Sequence, residues 1–365
     1  MPNPRPAPDF WILFPTLMIL AIGIVMVYSA SAVLALHDFG DSFYYLKRQL
    51  FFAILGLAGM AFMMRLDYRQ LKSVANAALI AGFVLLVLVL IPGIGVVRGG
   101  ARSWLGIASF GIQPSEFMKL AMVLFAAKTL AENPSRIVSL RRGLLPMLAL
   151  LGAAFGLIML QPDLGTGAVL VGATMMVLFA AGARIRHLAG LGVLGLAGLA
   201  ALIAAAPYRL RRITAFLDPW SDPLGAGYQA IQSLYAIGPG GLVGLGLGMS
   251  RQKYNYLPEP QTDFIFSIIA EELGFIGASA VVLLFFLLVW RGMRTAIAAP
   301  DLFGSLLAVG IVGMIAVQVV INIGVVTGLL PVTGITLPLV SAGGSSLTLI
   351  LASIGILLNI SRHAR

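Results

Sequence analysis

The chain has 365 residues, of which 59% are hydrophobic and only 10% charged, and its mean hydropathy is +0.99. That balance excludes a soluble globular domain and indicates a polytopic membrane protein. The net charge of +10 does not point to nucleic acid, because the Lys and Arg are scattered between apolar runs instead of clustering. With no cysteine, disulfides, thiol catalysis and Cys-ligated metals are excluded. The three histidines, His37, His187 and His363, lie far apart near the ends of apolar runs, so no histidine metal site is expected.

Met1 to Asp9 is a Pro-rich leader, read as disordered and cytoplasmic. The run from Phe10 to Val33 contains Ala30-Ser31-Ala32, which has the form of a cleavage site. Its apolar core is too long for a signal peptide, so an uncleaved first span is expected. Apolar segments follow at 48–64, 75–94, 115–131, 144–160, 165–182, 188–206, 264–290, 302–326 and 342–360. The expectation is an all-α polytopic membrane protein of about ten transmembrane helices. A single membrane domain covers 10–361, with a large extracytoplasmic loop at 207–263 between the seventh and eighth helices and a cytoplasmic tail at 362–365.

Charge placement fixes the expected orientation. With the amino terminus inside, the inner side holds Arg5, Arg65, Arg69, Lys72, Arg136, Arg141, Arg142, Arg184, Arg186, Arg291, Arg294, Arg362 and Arg365. The short outer loops hold only Lys47, Arg48, Arg98 and Arg102. Positive charge stays inside, so both termini are expected in the cytoplasm and the 207–263 loop outside.

The densest polar stretch is Tyr256-Leu257-Pro258-Glu259-Pro260-Gln261-Thr262-Asp263-Phe264, leading into Glu271-Glu272-Leu273-Gly274. Two acids four apart stand on a loop stiffened by Pro258 and Pro260. A carboxylate at the mouth of a membrane segment is costly to keep, and such cost marks function. Upstream, Gln113-Pro114-Ser115-Glu116-Phe117-Met118-Lys119 opens the fourth span. Glu116 and Lys119 are an i,i+3 pair that is either self-neutralising structure or the wall of a polar cavity. Arg98 and Arg102 flank a turn before Trp104, itself either an interfacial belt residue or part of a phosphate grip. Asp163 in Gln161-Pro162-Asp163-Leu164-Gly165 reads as a helix cap or a functional acid. Arg209, Arg211 and Arg212, then Arg251 and Lys253, bring basic charge to the large loop. Gln318 and Asn322 lie within the ninth span. Gly343-Gly344-Ser345-Ser346 opens the tenth, presenting N–H groups and hydroxyls to a ligand or a neighbouring helix. No nucleotide-binding motif occurs, so a synthetic reaction at an outer face needs a donor activated beforehand.

These motifs together resemble the SEDS family of membrane proteins (RodA, FtsW and SpoVE), and most closely its FtsW/SpoVE branch. The resemblance rests on QPSEFMKL at 113–120, QPDLGTG at 161–167, FLDPWSDPLGAGYQ at 216–229, YLPEPQTDFIFSIIAEELGFIG at 256–277 and GLLPVTGITLPLVSAGGSS at 328–346. Gln261 departs from the histidine many members carry, and Ala342 from a common aromatic. The resemblance implies polymerisation of lipid II into peptidoglycan strands, with Asp263 as the catalytic carboxylate. It further implies a divalent cation (Mg or Mn), for which Asp263 is the candidate ligand, and a class B penicillin-binding protein as transpeptidase partner alongside divisome or elongasome proteins.

The residues agree with that chemistry. Glycosyl transfer from a lipid pyrophosphate needs a general base on the acceptor hydroxyl and positive charge on the leaving group. Asp263 is the expected base, with Glu259 tuning it or positioning the acceptor. Arg102, Trp104, Glu116, Lys119, Arg209, Lys253, Gln261 and Ser345 are the expected substrate-binding residues. A lipid II flippase and a non-catalytic scaffold are the rival readings. Whether division, elongation or sporulation is served stays open.

Overall fold

A computed structural model describes residues 7–98, 101–107, 110–204, 214–254 and 256–364. Each apolar segment read from the sequence overlaps a helix: α1 (Phe10–Phe39), α2 (Tyr44–Arg65), α3 (Leu71–Leu88), α4 (Pro114–Glu132), α5 (Leu145–Met159), α6 (Leu164–Ala180), α7 (Ile185–Ala204), α9 (Ile265–Ala298), α10 (Leu302–Val326) and α11 (Gly344–Ser361). Among the described residues six helices are long and apolar enough to cross a membrane: α1, α2, α3 with its preceding turn, α9, α10 and α11. The chain is therefore a multi-pass membrane protein. Asp9 belongs to the first helix and not to a loose leader. Its carboxylate caps α1 at Trp11 N (2.8 Å) and pairs with Arg291 (2.5 Å).

Helix α10 is the axis. It is apolar all round, as a helix enclosed by others should be, and it packs against α4, α6, α9 and α11. Leu307 and Ile311 on α10 share the buried core with Met122 on α4, Ile268 on α9 and Ile354 on α11. Helices α2 and α11 pack closely. Gly355 sits so close to α2 that a Cβ there would lie 2.5 Å from the Met60 carbonyl oxygen. Small residues permit such contact where lipid offers no hydrophobic drive to assemble helices.

The structure departs from the all-α expectation between α3 and α4. There β1 (Gly95–Arg98), β2 (Ala101–Ile107) and β3 (Phe110–Ile112) form an antiparallel meander, with Val96 opposite Trp104 and Leu105 opposite Ile112. Val96, Val97, Trp104 and Ile107 are β-formers, and the interval is too short and too interrupted by glycine to extend a helix.

The long polar interval contains α8 (Tyr228–Ile237) and a glycine-rich segment that docks onto α9. The docking has a backbone cause. Gly274 breaks α9 at φ 67°, ψ −168°, which frees carbonyls before the break and amides after it. The segment fills both sets. Leu245 N donates to Glu271 O (2.9 Å) and Gly246 N to Glu272 O (3.0 Å), while Phe275 N donates to Gly241 O (2.9 Å) and Ile276 N to Leu242 O (3.1 Å). The acidic side chains complete the joint. Glu271 accepts from Ser250 Oγ (2.6 Å) and Arg251 N (2.8 Å), and Glu272 from Ser29 Oγ (2.7 Å) and Lys253 Nζ (3.3 Å).

A side chain at 274 would be strained by its φ, and its Cβ would stand 2.3 Å from Gly244 N. Gly274→Ala is expected to lower stability by about 1–3 kcal/mol or more in detergent thermal unfolding. Gly192→Ala, on a helix with open space around it, serves as the neutral control.

Candidate active site

Pro258 and Pro260 flank Glu259, whose φ of 51° is left-handed, and Thr262 N donates back to Glu259 O at 3.1 Å. The prolines therefore close a tight turn immediately before Asp263. Beyond the turn three consecutive carbonyls are held by separate donors. Ala342 N donates to Gln261 O (2.9 Å), Ser341 Oγ to Thr262 O (2.6 Å) and Asn322 Nδ2 to Asp263 O (2.8 Å). Asn322 also donates to Ile335 O (2.7 Å), so α10 joins this turn to the 333–337 segment. Gly334 on that segment faces the acid: a Cβ there would lie 3.5 Å from Asp263 Oδ2.

The backbone is clamped, but the half-buried Asp263 carboxylate accepts no hydrogen bond among the described residues. Burial, reinforced by the negative charges of Glu259 and Asp163, pushes its pKa up to about 7. A carboxyl that exchanges its proton near neutrality, with its oxygens uncommitted, suits general-base work.

Asp163 caps α6 through Thr166 N (3.0 Å) and accepts from Gln113 Nε2 (2.9 Å). Burial pushes its carboxyl up as well. Its capping reading is correct, and its charge also reaches Asp263.

Glu116 and Lys119 are buried. They are 4% and 1% exposed, and Lys119 Nζ donates to Glu116 Oε1 (2.8 Å) and to Gln318 Oε1 (2.9 Å). Gln318 in turn donates to Thr336 O (3.0 Å), next to the residue Asn322 holds. The pair expected to touch substrate therefore supports the segment facing Asp263. In apolar surroundings two such charges neutralise each other, because leaving either one open and unpaired is costly.

Glu259, Gln261 and Thr262 line a cavity of 240 Å³ together with Trp104, Tyr45, Arg48, Gln49, Phe52 and the 342–344 start of α11. Of the expected substrate residues, Trp104 and Gln261 are thus united with Glu259. Lys253 is 5% exposed and bound to Glu272 and to Gly248 O (2.5 Å), away from this cavity. Arg102 lies in the meander, within 3.5 Å of Leu90 O. Ser345 accepts from Gln113 N at 3.4 Å and ties α11 to the start of α4. Arg209 falls outside the described residues. Sequence reasoning passed over Arg48 and Tyr45. A basic residue four positions into an apolar helix was the available signal for Arg48, and it was counted only as loop charge. Among the described residues no three His, Asp or Glu side chains converge, so Asp263 could serve a Mg or Mn ion only as a single carboxylate beside a substrate's phosphates, and not in an all-protein cage.

The sequence model of the FtsW/RodA/SpoVE family, described as cell cycle proteins, matches residues 10–365. The chain belongs to this family. It is 58% identical to the stage V sporulation protein E of Bacillus subtilis over the full length of both. It is 47% identical over 353 residues to a probable peptidoglycan glycosyltransferase FtsW of Trichlorobacter lovleyi, covering 97% of this chain and 93% of the relative. These names fall in the FtsW/SpoVE branch that the motifs indicated. Its fold is similar to Thermus thermophilus RodA, with a TM-score of 0.73 at 33% identity and 98% and 97% of the two chains covered. It is also similar to a chain of a peptidoglycan synthase complex, with a TM-score of 0.79 at 36% identity and 98% of each chain covered.

In this family member Lys119→Met strands Glu116 in the core and is expected to cost about 3–5 kcal/mol in thermal or denaturant unfolding. Adding Glu116→Gln should restore most of that loss. A single substitution that leaves stability unchanged would contradict the sealed pair.

Proposed function

We propose that this chain is a peptidoglycan glycosyltransferase that polymerises lipid II at the outer face of the cytoplasmic membrane. The observation that carries the reading is Asp263: fixed backbone, free carboxylate, pKa about 7, the next residue after Gln261 and Thr262, which line a cavity together with Arg48 and Trp104. In the reaction the acceptor 4-hydroxyl oxygen attacks the anomeric carbon of the α-linked donor. Asp263 takes the hydroxyl proton, the bond from that carbon to the pyrophosphate oxygen breaks, and the lipid pyrophosphate departs with its electron pair. In-line attack inverts the centre and gives a β-1,4 bond. Glu259 positions the acceptor from the same turn. A divalent ion would arrive with the pyrophosphate, with Asp263 as its candidate protein ligand, and would supply positive charge to the leaving group.

The reading includes ten membrane crossings, cytoplasmic termini and an outer 207–263 loop, supported by the 13 Lys and Arg on one side against four in the short loops of the other. The branch of its relatives supports a division or sporulation role over elongation. Similarity to a chain of a peptidoglycan synthase complex supports pairing with a class B penicillin-binding protein. A flippase needs open polar groups at membrane depth, and the Glu116–Lys119 pair on α4 is buried and bonded to itself and to Gln318.

Asp263→Asn keeps the shape and removes the base. Polymerisation of purified lipid II should fall by about 10²-fold or more, and wild-type turnover in the variant would overturn the assignment. In the parent the rate should fall as pH drops through about 7, because protonation of Asp263 removes the base. Orientation is tested by adding one cysteine to a chain that has none. Leu224→Cys should react with an impermeant maleimide in intact cells, and Pro300→Cys should react only after lysis.

A further inference from the structure

Arg291 and Arg294 lie near the C-terminal end of α9, whose other end follows Asp263. They line a cavity of 230 Å³ with Asp9, Thr295, Ala298, Ser361 and Ala364. The residue before α1, the end of α9 and the end of α11 therefore meet at one face of the bundle, where Asp9 N donates to Ser361 Oγ (3.1 Å). Two arginines share one acid there. Asp9 accepts from Trp11 N on one oxygen (2.8 Å) and from Arg291 Nη2 on the other (2.5 Å), so it offsets a single positive charge. Arg294 is exposed and makes no ion pair or hydrogen bond among the described residues. Arg291 Nε is buried and has no acceptor. A buried donor without an acceptor, next to an unbalanced guanidinium, suits an anion.

The surface beside the cavity is apolar and exposed. Leu283, Phe286, Trp290, Arg294 and Ile297 recur at three- and four-residue spacing, so they form one stripe along α9. No charged residue lies between the break at Gly274 and Arg291, and at about 1.5 Å per residue that stretch covers about 24 Å. One further turn brings the helix to Arg294, which therefore falls at the margin of a hydrocarbon layer about 30 Å thick. Trp290 marks the same level. It is 45% exposed, and the guanidinium carbons of Arg291 and Arg294 lie 5.9 Å and 5.3 Å from the centre of its ring.

We propose that this cavity binds the headgroup of an anionic phospholipid, with its phosphate on Arg294 and Arg291 Nε and its acyl chains along Trp290, Phe286 and Leu283. The arginines continue an apolar stripe, so the ligand that fits is one that joins a phosphate to hydrocarbon. The forked guanidinium matches phosphate oxygens two at a time. A zwitterionic headgroup would bring its own cation against two arginines, so a headgroup of net negative charge is favoured. At 230 Å³ the space is below the usual range of about 300–1,000 Å³ for small-molecule pockets, and it suits a headgroup with the chains outside. Basic pockets between membrane helices hold such headgroups. The inference goes beyond the glycosyl transfer reading and uses none of its residues.

The test is native mass spectrometry of the full-length chain in a neutral detergent, titrated with phosphatidylglycerol, phosphatidylcholine of the same acyl chains, and glycerol 3-phosphate. Phosphatidylglycerol should bind about tenfold more tightly than phosphatidylcholine, and Arg294→Gln should remove that preference. Arg294→Lys keeps the charge without the fork, should retain part of the preference, and carries the test if the Gln variant fails to fold. Arg186→Gln removes an exposed charge that does not line the cavity, and it should bind every probe like the parent. Unchanged phosphatidylglycerol affinity in Arg294→Gln would overturn the site, and so would an equal loss in Arg186→Gln, which would reduce the effect to general surface charge. Glycerol 3-phosphate binding as tightly as phosphatidylglycerol would overturn the lipid and leave a free phosphate ester as the ligand.

Discussion

The structure depends on how the backbone of Gln261, Thr262 and Asp263 is fixed. Three carbonyls in a row are each held by a donor from a different part of the fold, namely Ala342, Ser341 and Asn322. A carboxylate proposed to act as a base, as Asp263 is here, has to be held still while its oxygens stay available, and those demands conflict if the side chain supplies its own anchors. Here the main chain takes the anchoring and the carboxylate is left free. The cost appears as a raised pKa, which is what a base working at neutral pH requires.

The same arrangement explains why so much charge lies out of reach of any ligand. Lys119 and Lys253 each neutralise a glutamate inside the protein. Low dielectric makes an unpaired buried charge costly, so polar residues within a bundle bind each other first and act on a substrate through what they position. Lys119, Gln318 and Thr336 form one such relay of contacts, and it ends on the segment whose Gly334 faces Asp263. Arg48 makes no ion pair among the described residues and stacks near the Phe52 ring on the cavity wall it shares with Glu259.

The break at Gly274 is the second device. A continuous α9 would satisfy its own backbone and leave the glycine-rich segment without partners. Interrupted, it exposes carbonyls and amides that the Gly241–Gly246 stretch meets, and Glu271 and Glu272 then hold Ser250 to Lys253. The long polar loop is thereby fixed to a span, and the Tyr256–Phe264 turn follows from a firm base.

The sequence alone determined the membrane class, the positions of the helices and the prominence of the Pro258–Asp263 turn. Apolar run length, proline placement and charge bias are local properties, and they act wherever the chain goes. It also carried the family resemblance and the capping role of Asp163. The three-stranded meander was legible only as β-formers between glycines. Tertiary structure alone decided which polar residues meet. Glu116 and Lys119 face Gln318 and not a ligand, Lys253 is drawn to Glu272, and Arg48 from the second helix comes to lie beside Trp104 and the start of α11. Those outcomes depend on contacts between residues tens to hundreds of positions apart, and on which charges the packing buries, and no local pattern in the chain encodes either.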